Sequence, residues 1–311
     1  MNLTSAEAAR AASSSVLVVP ARDRAAIVVT GKDRTSWLNG LFTCDLAKRE
    51  RGQAAYGLLV EKKGRIQTDL FVVPDAEESA LVLAVPASLR ETLLTTLDHY
   101  LIMEDAEITS TELVFLVAHG PRASELRALA PVGGTIDLLG HGGVVLAAPA
   151  SEGPAFEARI AEAAASLGGV VVDDPTWESV RIEHGLPRFG VEFDTTHYPQ
   201  EAALENLAVS FQKGCYLGQE VVYMLQERGH VKRKLVSLDL DAGELPLTGA
   251  AVTTAAGEAV GDVKSVALGP SSGKPVAIAM VKWAHTKPGT ELSVAVGSSP
   301  RAARVRASEQ A

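Results

Sequence analysis

The run Phe211-Gln212-Lys213-Gly214-Cys215-Tyr216-Leu217-Gly218-Gln219-Glu220 sets a thiol between two glycines with an ammonium just ahead of them. Val221, Val222 and Leu225 follow at helical spacing, so the run reads as a loop entering a helix. Gly214 and Gly218 permit backbone conformations closed to other residues. A thiol just ahead of a helix start lies near the positive end of its dipole, and with Lys213 close by both effects favour thiolate. Such a cysteine is a nucleophile, is oxidisable and can ligate a soft metal; the same residue packed in hydrocarbon is inert. Spacing alone leaves both readings of Cys215 open. A second segment, RFGVEFDTTHYPQEAAL from Arg188 to Leu204, mixes Gly, Pro, Asp and paired Thr and reads as an ordered surface loop of the kind that carries sites. His184, His197 and His230 lie near these loops without a carboxylate partner that can be placed, and read as packing or surface residues. Cys44 reads as a small buried residue, and Trp37 and Phe42 as core.

These segments need a scaffold. Val16 to Pro20 and Ala26 to Thr30 are β-rich, and Asp33 is the expected N-cap of a short helix through Trp37 and Leu38 that ends near Gly40. Gln53 to Val60 and Arg65 to Pro74 flank Glu61-Lys62-Lys63-Gly64 as a hairpin. Ala80 to Val85 adds a third strand. Pro86 then opens a helix whose Leu89, Leu93, Leu94, Leu97 and Leu101 recur at three- and four-residue steps. Leu113 to Ala118, a helix from Pro121 through Ala130, Gly143 to Ala147, a helix from Ala155 to Leu167, and Val170 to Val172 continue the alternation, which implies an α+β layered body. Pro175 to Gly185 suits a short helix. Beyond Leu235 the chain becomes short β-prone runs, Leu235 to Leu240, Ala259 to Val266, Val276 to Val281 and Glu291 to Val296, which read as a small barrel or sandwich. Two domains follow, 1–234 and 235–311. No internal repeat stands out.

With 47% hydrophobic and 22% charged residues in 311, the chain has ample apolar surface for a packed core. A net charge of -9 argues against general affinity for nucleic-acid phosphates. Seven Lys/Arg balance seven Asp/Glu from Leu235 onward, so the acidity belongs to the first body. Arg228-Gly229-His230-Val231-Lys232-Arg233-Lys234 is basic, and reads as an anion-accepting cleft or a solvated linker. No apolar run approaches the ~20 residues of a membrane span, and the N-terminus lacks the apolar centre of a secretory signal, so a cytoplasmic location is expected. Two cysteines give no disulfide framework, and no spacing suggests a metal site.

KGCYLGQE resembles the signature of the YgfZ folate-binding proteins, the iron–sulfur-cluster branch of the family that includes the aminomethyltransferase (T-protein) of the glycine cleavage system. DRTSWLNGLFTCDL, GRIQTDLFVV, RIEHGLPRFGVEFDTTHYPQEAALE and GDVKSVALGPSSGKPVAIAMVKW resemble further family blocks in the same order, so the likeness spans nearly the whole chain. It implies a three-lobed cloverleaf, two α+β lobes and a C-terminal β-barrel around a central channel, with tetrahydrofolate or a derivative bound in the channel. Lys213 and Cys215 match the signature positions tied to function in the YgfZ branch. Glu192 falls where the transferases place a carboxylate that hydrogen-bonds the pterin, a task a carboxylate suits because it can accept two bonds from an aminopyrimidine edge; read without the family it is equally a site residue or an exposed loop acid. The transferases carry a pair of aspartates where this chain has Thr68-Asp69, so Asp69 orients a folate or is an outward-facing strand residue. Arg181 and Arg188 flank the pterin loop, where they meet the glutamate tail or lie on a helix surface. The resemblance implies a non-enzymatic or weakly enzymatic factor that assists iron–sulfur cluster assembly or repair in client proteins, with Cys215 as the active atom and Lys213 holding an anion or tuning the thiol. The alternative is a tetrahydrofolate-dependent aminomethyltransferase, whose own version of the signature lacks the cysteine. A tRNA-modification partner is a third class, raised only by the basic run.

Overall fold

Tyr56 to Val60 and Leu70 to Val73 are buried residue after residue, and strands apolar on both faces must be covered on both sides. The computed structural model, which describes residues 5–297 and 299–307, shows how. Elements are numbered along the chain. The first sheet has the order β3 (Ala55–Val60), β4 (Ile66–Pro74), β5 (Leu81–Pro86), β2 (Arg24–Thr30) and β6 (Glu107–Thr111). The second has the order β10 (Val170–Val171), β1 (Leu17–Pro20), β7 (Leu113–His119), β9 (Gly143–Pro149) and β8 (Val132–Thr135). Inner-face residues of both sheets, among them Tyr56, Phe71, Phe115 and Val117, share one core with Phe193 and Tyr216. On the outer face of the first sheet, α2 (Arg34–Asn39) and α3 (Arg90–Tyr100) bury Trp37, Leu38, Leu93 and Leu97. On that of the second, α4 (Gly153–Ser166) buries Phe156, Ile160 and Ala164.

Two helical expectations are corrected. Asp33 stands at the head of α2 without a capping hydrogen bond, and its Oδ2 instead accepts from Asp105 N at 2.8 Å. The stretch expected as a helix from Pro121 through Ala130 is a 3₁₀ turn over Ala123–Leu129. Ala123, Leu126 and Leu129 pack at strict three-residue steps, the period of that tighter coil. The helix α1 (Ser5–Ser14) escaped the sequence reading; its stripe of Ala8, Ala9, Ala11 and Ala12 is small enough to pack against α5 (Asp174–Glu183).

Six strands close the C-terminal barrel in the order β11 (Arg233–Leu240), β14 (Pro275–Lys282), β13 (Ala259–Leu268), β12 (Ala251–Thr253), β15 (Glu291–Val296) and β16 (Ser299–Val305). Of these β12 and β16 were unread: one has three residues, and the other carries its charge outward on Arg301 and Arg304. The barrel seats on α5, where Ile182 packs with Leu235, Ala267, Val276, Ile278 and Met280. Glu183 accepts from the backbone N–H groups of Ser271 and Ser272, both at 2.9 Å, in the turn between β13 and β14. Helix α6 (Gln219–Glu227) precedes the barrel.

Candidate functional site

Where the two sheets part, a cleft opens with about 700 Å³ free of protein atoms, counted into its mouth. The first sheet lends it Arg24, Tyr56, Asp69 and Phe71; the second, Val19, Val117 and His119. Asp174, Trp177 and Arg181 of α5 and the Leu186–Arg188 turn complete the wall. A second hollow, lined by Cys44, Ile136 and Val209, shares Tyr56 and Leu138 with the cleft.

Asp69 is not an outward-facing strand residue: it is 2% exposed. Its Oδ1 accepts from Arg24 Nη1 at 3.0 Å, and its Oδ2 accepts from Arg24 Nη2 at 2.8 Å and from Tyr56 Oη at 3.0 Å. Burial by itself would depress the Arg24 guanidinium, but Asp69 outweighs it and holds Arg24 above its ordinary value. Burial, followed by the Asp69 charge, keeps the Tyr56 hydroxyl well above its own.

Glu192 is not an exposed loop acid either; it is 2% exposed. Oε1 accepts from Arg181 Nη1 at 2.9 Å and from the Ser265 hydroxyl, and Oε2 accepts from Arg188 N at 2.8 Å. Ser265 reaches it because a register shift between Val263 and Ser265 turns the barrel strand there. Arg181, on a helix and 1% exposed, also donates to Glu178 and, at 3.1 Å, to Leu186 O. Burial opposes the Arg181 charge, and Glu178 and Glu192 raise it back above the usual range. Glu192 thus sits one hydrogen bond behind the cleft wall, with Arg181 and Arg188 as the groups it presents. Arg188 donates to Glu178 Oε1 at 2.9 Å and Asp23 Oδ2 at 3.2 Å while its side chain stays 32% exposed at the rim.

The signature segment lies elsewhere. Lys213 is buried, and its ammonium donates to the carbonyls of Asn39 (2.6 Å), Phe42 (2.7 Å) and Cys44 (2.7 Å) while lying 5.2 Å from the Tyr216 ring centre. Burial draws it down to about 8, against the pull of Cys44 and Asp45. The thiol in its field is that of Cys44, buried and pushed up to about 12 by desolvation. Lys213 is therefore placed to pin the loop between α2 and β3, and Cys215 projects into solvent four residues before α6 begins, outside the lining of both hollows. Gly218, with φ of +75°, caps that helix, and a Cβ there would fall 2.3 Å from Glu61 O; only glycine lets the segment dock on the β3–β4 hairpin. Gly214 meets nothing within 4 Å and has no such requirement.

Of the histidines, His184 Nδ1 contacts Val180 O at 2.9 Å, His230 stacks on Trp283 with centroids 5.2 Å apart, and His197 has the carboxylate partner that sequence could not place, Asp194 at 2.9 Å. In the basic run Lys234 pairs with Glu205, and Arg228, Lys232 and Arg233 are exposed. Sequence reasoning missed Arg24, Tyr56, His119 and Trp177, which carry no local motif. Among the described residues no group of three or more His, Cys, Asp or Glu is arranged to hold a metal ion, and no helix is long and apolar enough to cross a membrane.

Two family models cover most of this architecture: the glycine cleavage T-protein (GCVT) N-terminal domain matches residues 1–138, and the glycine cleavage T-protein C-terminal barrel domain matches 233–309. The chain belongs to the GcvT/YgfZ-like folate-binding family. An aminomethyltransferase of Herpetosiphon aurantiacus is 28% identical over 301 residues, covering 89% of this chain and 81% of its own. A tRNA-modifying protein YgfZ of Aliivibrio fischeri is 25% identical over 246 residues, covering 76% and 75%. The crystal structure of glycine cleavage system aminomethyltransferase T from Bartonella henselae shares the fold, with a TM-score of 0.81 at 21% identity over 100% of this chain and 91% of that one.

One pH effect follows from the cleft wall. Burial, helped by His184, lowers His119 from its ordinary value to about 3. The unfolded chain takes up this proton near pH 6.5 and the folded one only near 3, so folding stability should fall as pH drops through that window. The loss should reach a few kcal/mol, at ~1.4 kcal/mol per pKa unit. Urea unfolding of wild type and His119→Phe at several pH values checks this: the variant should show the flatter acid limb, and parallel limbs would contradict it.

Proposed function

We propose that this chain is a folate-binding factor of the YgfZ type that assists iron–sulfur cluster assembly or repair in client proteins of the cytoplasm. In this reading the body, 1–234, holds the folate in its cleft and the barrel, 235–311, backs it from behind α5; residues 1–4, 298 and 308–311 lie outside the described residues. The cleft suits a reduced folate. Aromatic residues Tyr56, Phe71 and Trp177 line it together with the matched Asp69–Arg24 pair. Arg188, steadied by Glu192 through its backbone N–H, supplies a cation at the rim for a carboxylate tail. Tetrahydrofolate or a derivative would bring a one-carbon carrier to this site; the chain's part is to bind and orient it.

The observation that carries the reading is the segment KGCYLGQE: Lys213, Tyr216 and Gly218 are clamped into the body while the Cys215 thiol is presented at the surface. A thiol outside the ligand cleft and open to solvent can meet a macromolecular client. Cys215→Ala should leave the urea midpoint unchanged, since an exposed side chain away from a cap or network moves stability by at most ~0.5 kcal/mol. In a host lacking the native protein it should fail to restore iron–sulfur enzyme activity. Full complementation by Cys215→Ala would end the proposal.

The second reading, a tetrahydrofolate-dependent aminomethyltransferase, is favoured by the higher identity and wider coverage of the aminomethyltransferase relative. Thr68 in place of an acid and the cysteine-bearing signature weigh against it. Incubation with tetrahydrofolate and an aminomethyl-lipoyl donor decides: methylenetetrahydrofolate formed over many turnovers would put this reading first.

A further inference from the structure

The charged groups on the cleft wall mostly answer to one another. Asp69 is taken by Arg24 and Tyr56; Arg181 by Glu178, Glu192 and Leu186 O; Arg188 by Glu178 and Asp23. Asp174, at the rim, is exposed and meets solvent. His119 differs. It is 1% exposed, it is one of the residues lining the cleft, and its Nε2 is buried without a hydrogen-bond partner among the described residues. Leaving such an atom unpaired costs about 1–3 kcal/mol, which is why buried orphans are rare. The ring stacks on Trp177, with centroids 4.7 Å apart and planes 11° from parallel, which holds the plane in which Nε2 can meet a partner.

We propose that His119, held flat by Trp177, is the specificity-determining residue of this cleft, its Nε2 pairing with the ring-nitrogen or amino edge of a flat heteroaromatic ligand. On the folate reading above, on which this rests, it selects the bicyclic end of a reduced folate and not its aminobenzoyl-glutamate tail. The chemistry fits the surroundings. The cleft's buried cations and carboxylates are already matched, so a neutral imidazole, with one donor and one acceptor nitrogen, adds recognition without an uncompensated charge. A ligand lacking the complementary edge would leave Nε2 orphaned, and a buried polar group so left discriminates strongly.

The test is calorimetric titration of the full chain with folinic acid, for wild type, His119→Phe and His119→Gln, repeated with 4-aminobenzoyl-glutamate as competitor. Phenylalanine keeps a ring against Trp177 but has no nitrogen; glutamine restores a donor and an acceptor. Urea midpoints confirm that each variant is folded. Folinic acid should bind His119→Phe about tenfold or more weaker than wild type, the equivalent of one lost hydrogen bond. His119→Gln should recover part of the loss, and the tail-only competitor should act equally on wild type and His119→Phe. Wild type and His119→Phe binding folinic acid equally, a loss that His119→Gln does not lessen, or a competitor weakened in step with folinic acid would each overturn the assignment and leave the folate reading standing. No binding by wild type would overturn the folate reading, and this inference with it.

Discussion

Glu192→Ala is expected to cost about 3–5 kcal/mol of folding stability, the range for breaking a buried ion pair from one side. The carboxylate has no exposed side-chain surface and the side chain of its partner Arg181 is 2% exposed, so removing it leaves a guanidinium in the interior with Glu178 as the one carboxylate hydrogen-bonded to it among the described residues. The Ser265 hydroxyl and the Arg188 N–H lose their acceptors too. Because Ser265 belongs to the barrel and Arg181 to α5, the damage falls on the joint between barrel and body, and the barrel should loosen first. Urea unfolding measures the cost, and hydrogen exchange across β13 locates it; a loss below about 1 kcal/mol would show that water replaces the carboxylate freely. Folinic acid binding should weaken as well, since Arg181 and Arg188 line the cleft through Glu192's hold on them.

Asp69→Ala should be comparably damaging to stability and more damaging to binding. Arg24, its side chain 9% exposed, would keep a charge that nothing nearby matches so closely; Asp23 approaches it only to 4.0 Å. Its other neighbour, the Phe71 ring centre at 5.4 Å, offers at most a weak cation–π contact. Tyr56 would also lose the acceptor of its buried hydroxyl. Since the cost is that of a stranded charge, taking both partners away should restore much of it: Arg24→Met combined with Asp69→Leu should be more stable than Asp69→Ala alone. Binding should not recover, because Arg24, Tyr56 and Asp69 all line the cleft. Additive losses in the double variant would mean that the pair is not coupled as its geometry implies.

Much of the scaffold was written locally. The β3–β4 hairpin, the Leu93–Leu97 stripe of α3, the close of α2 at Gly40 and the start of α5 at its proline each follow from neighbours in sequence. The barrel was half legible: four of its strands alternate or run apolar over six residues or more, whereas β12 is too short to show a period. Glu192, Asp69 and Arg188 were marked by family likeness. Their burial and partners were not, because an acid's environment is set by residues far along the chain: Asp69 meets Arg24, and Glu192 meets Ser265, which lies in another domain-sized unit.

The sequence by itself determined the α+β body, the β-rich end and the family, since these depend on local periodicity, turn residues and an eight-residue signature. Only the tertiary structure decided that Lys213 grips the carbonyls of Asn39, Phe42 and Cys44 while Cys215 is left outside, and that His119 Nε2 lies unpaired beside Trp177. The physical reason is range: pattern and propensity act over a few residues, whereas hydrogen bonding and desolvation depend on which distant groups the packing of two sheets and a barrel brings within 3 Å.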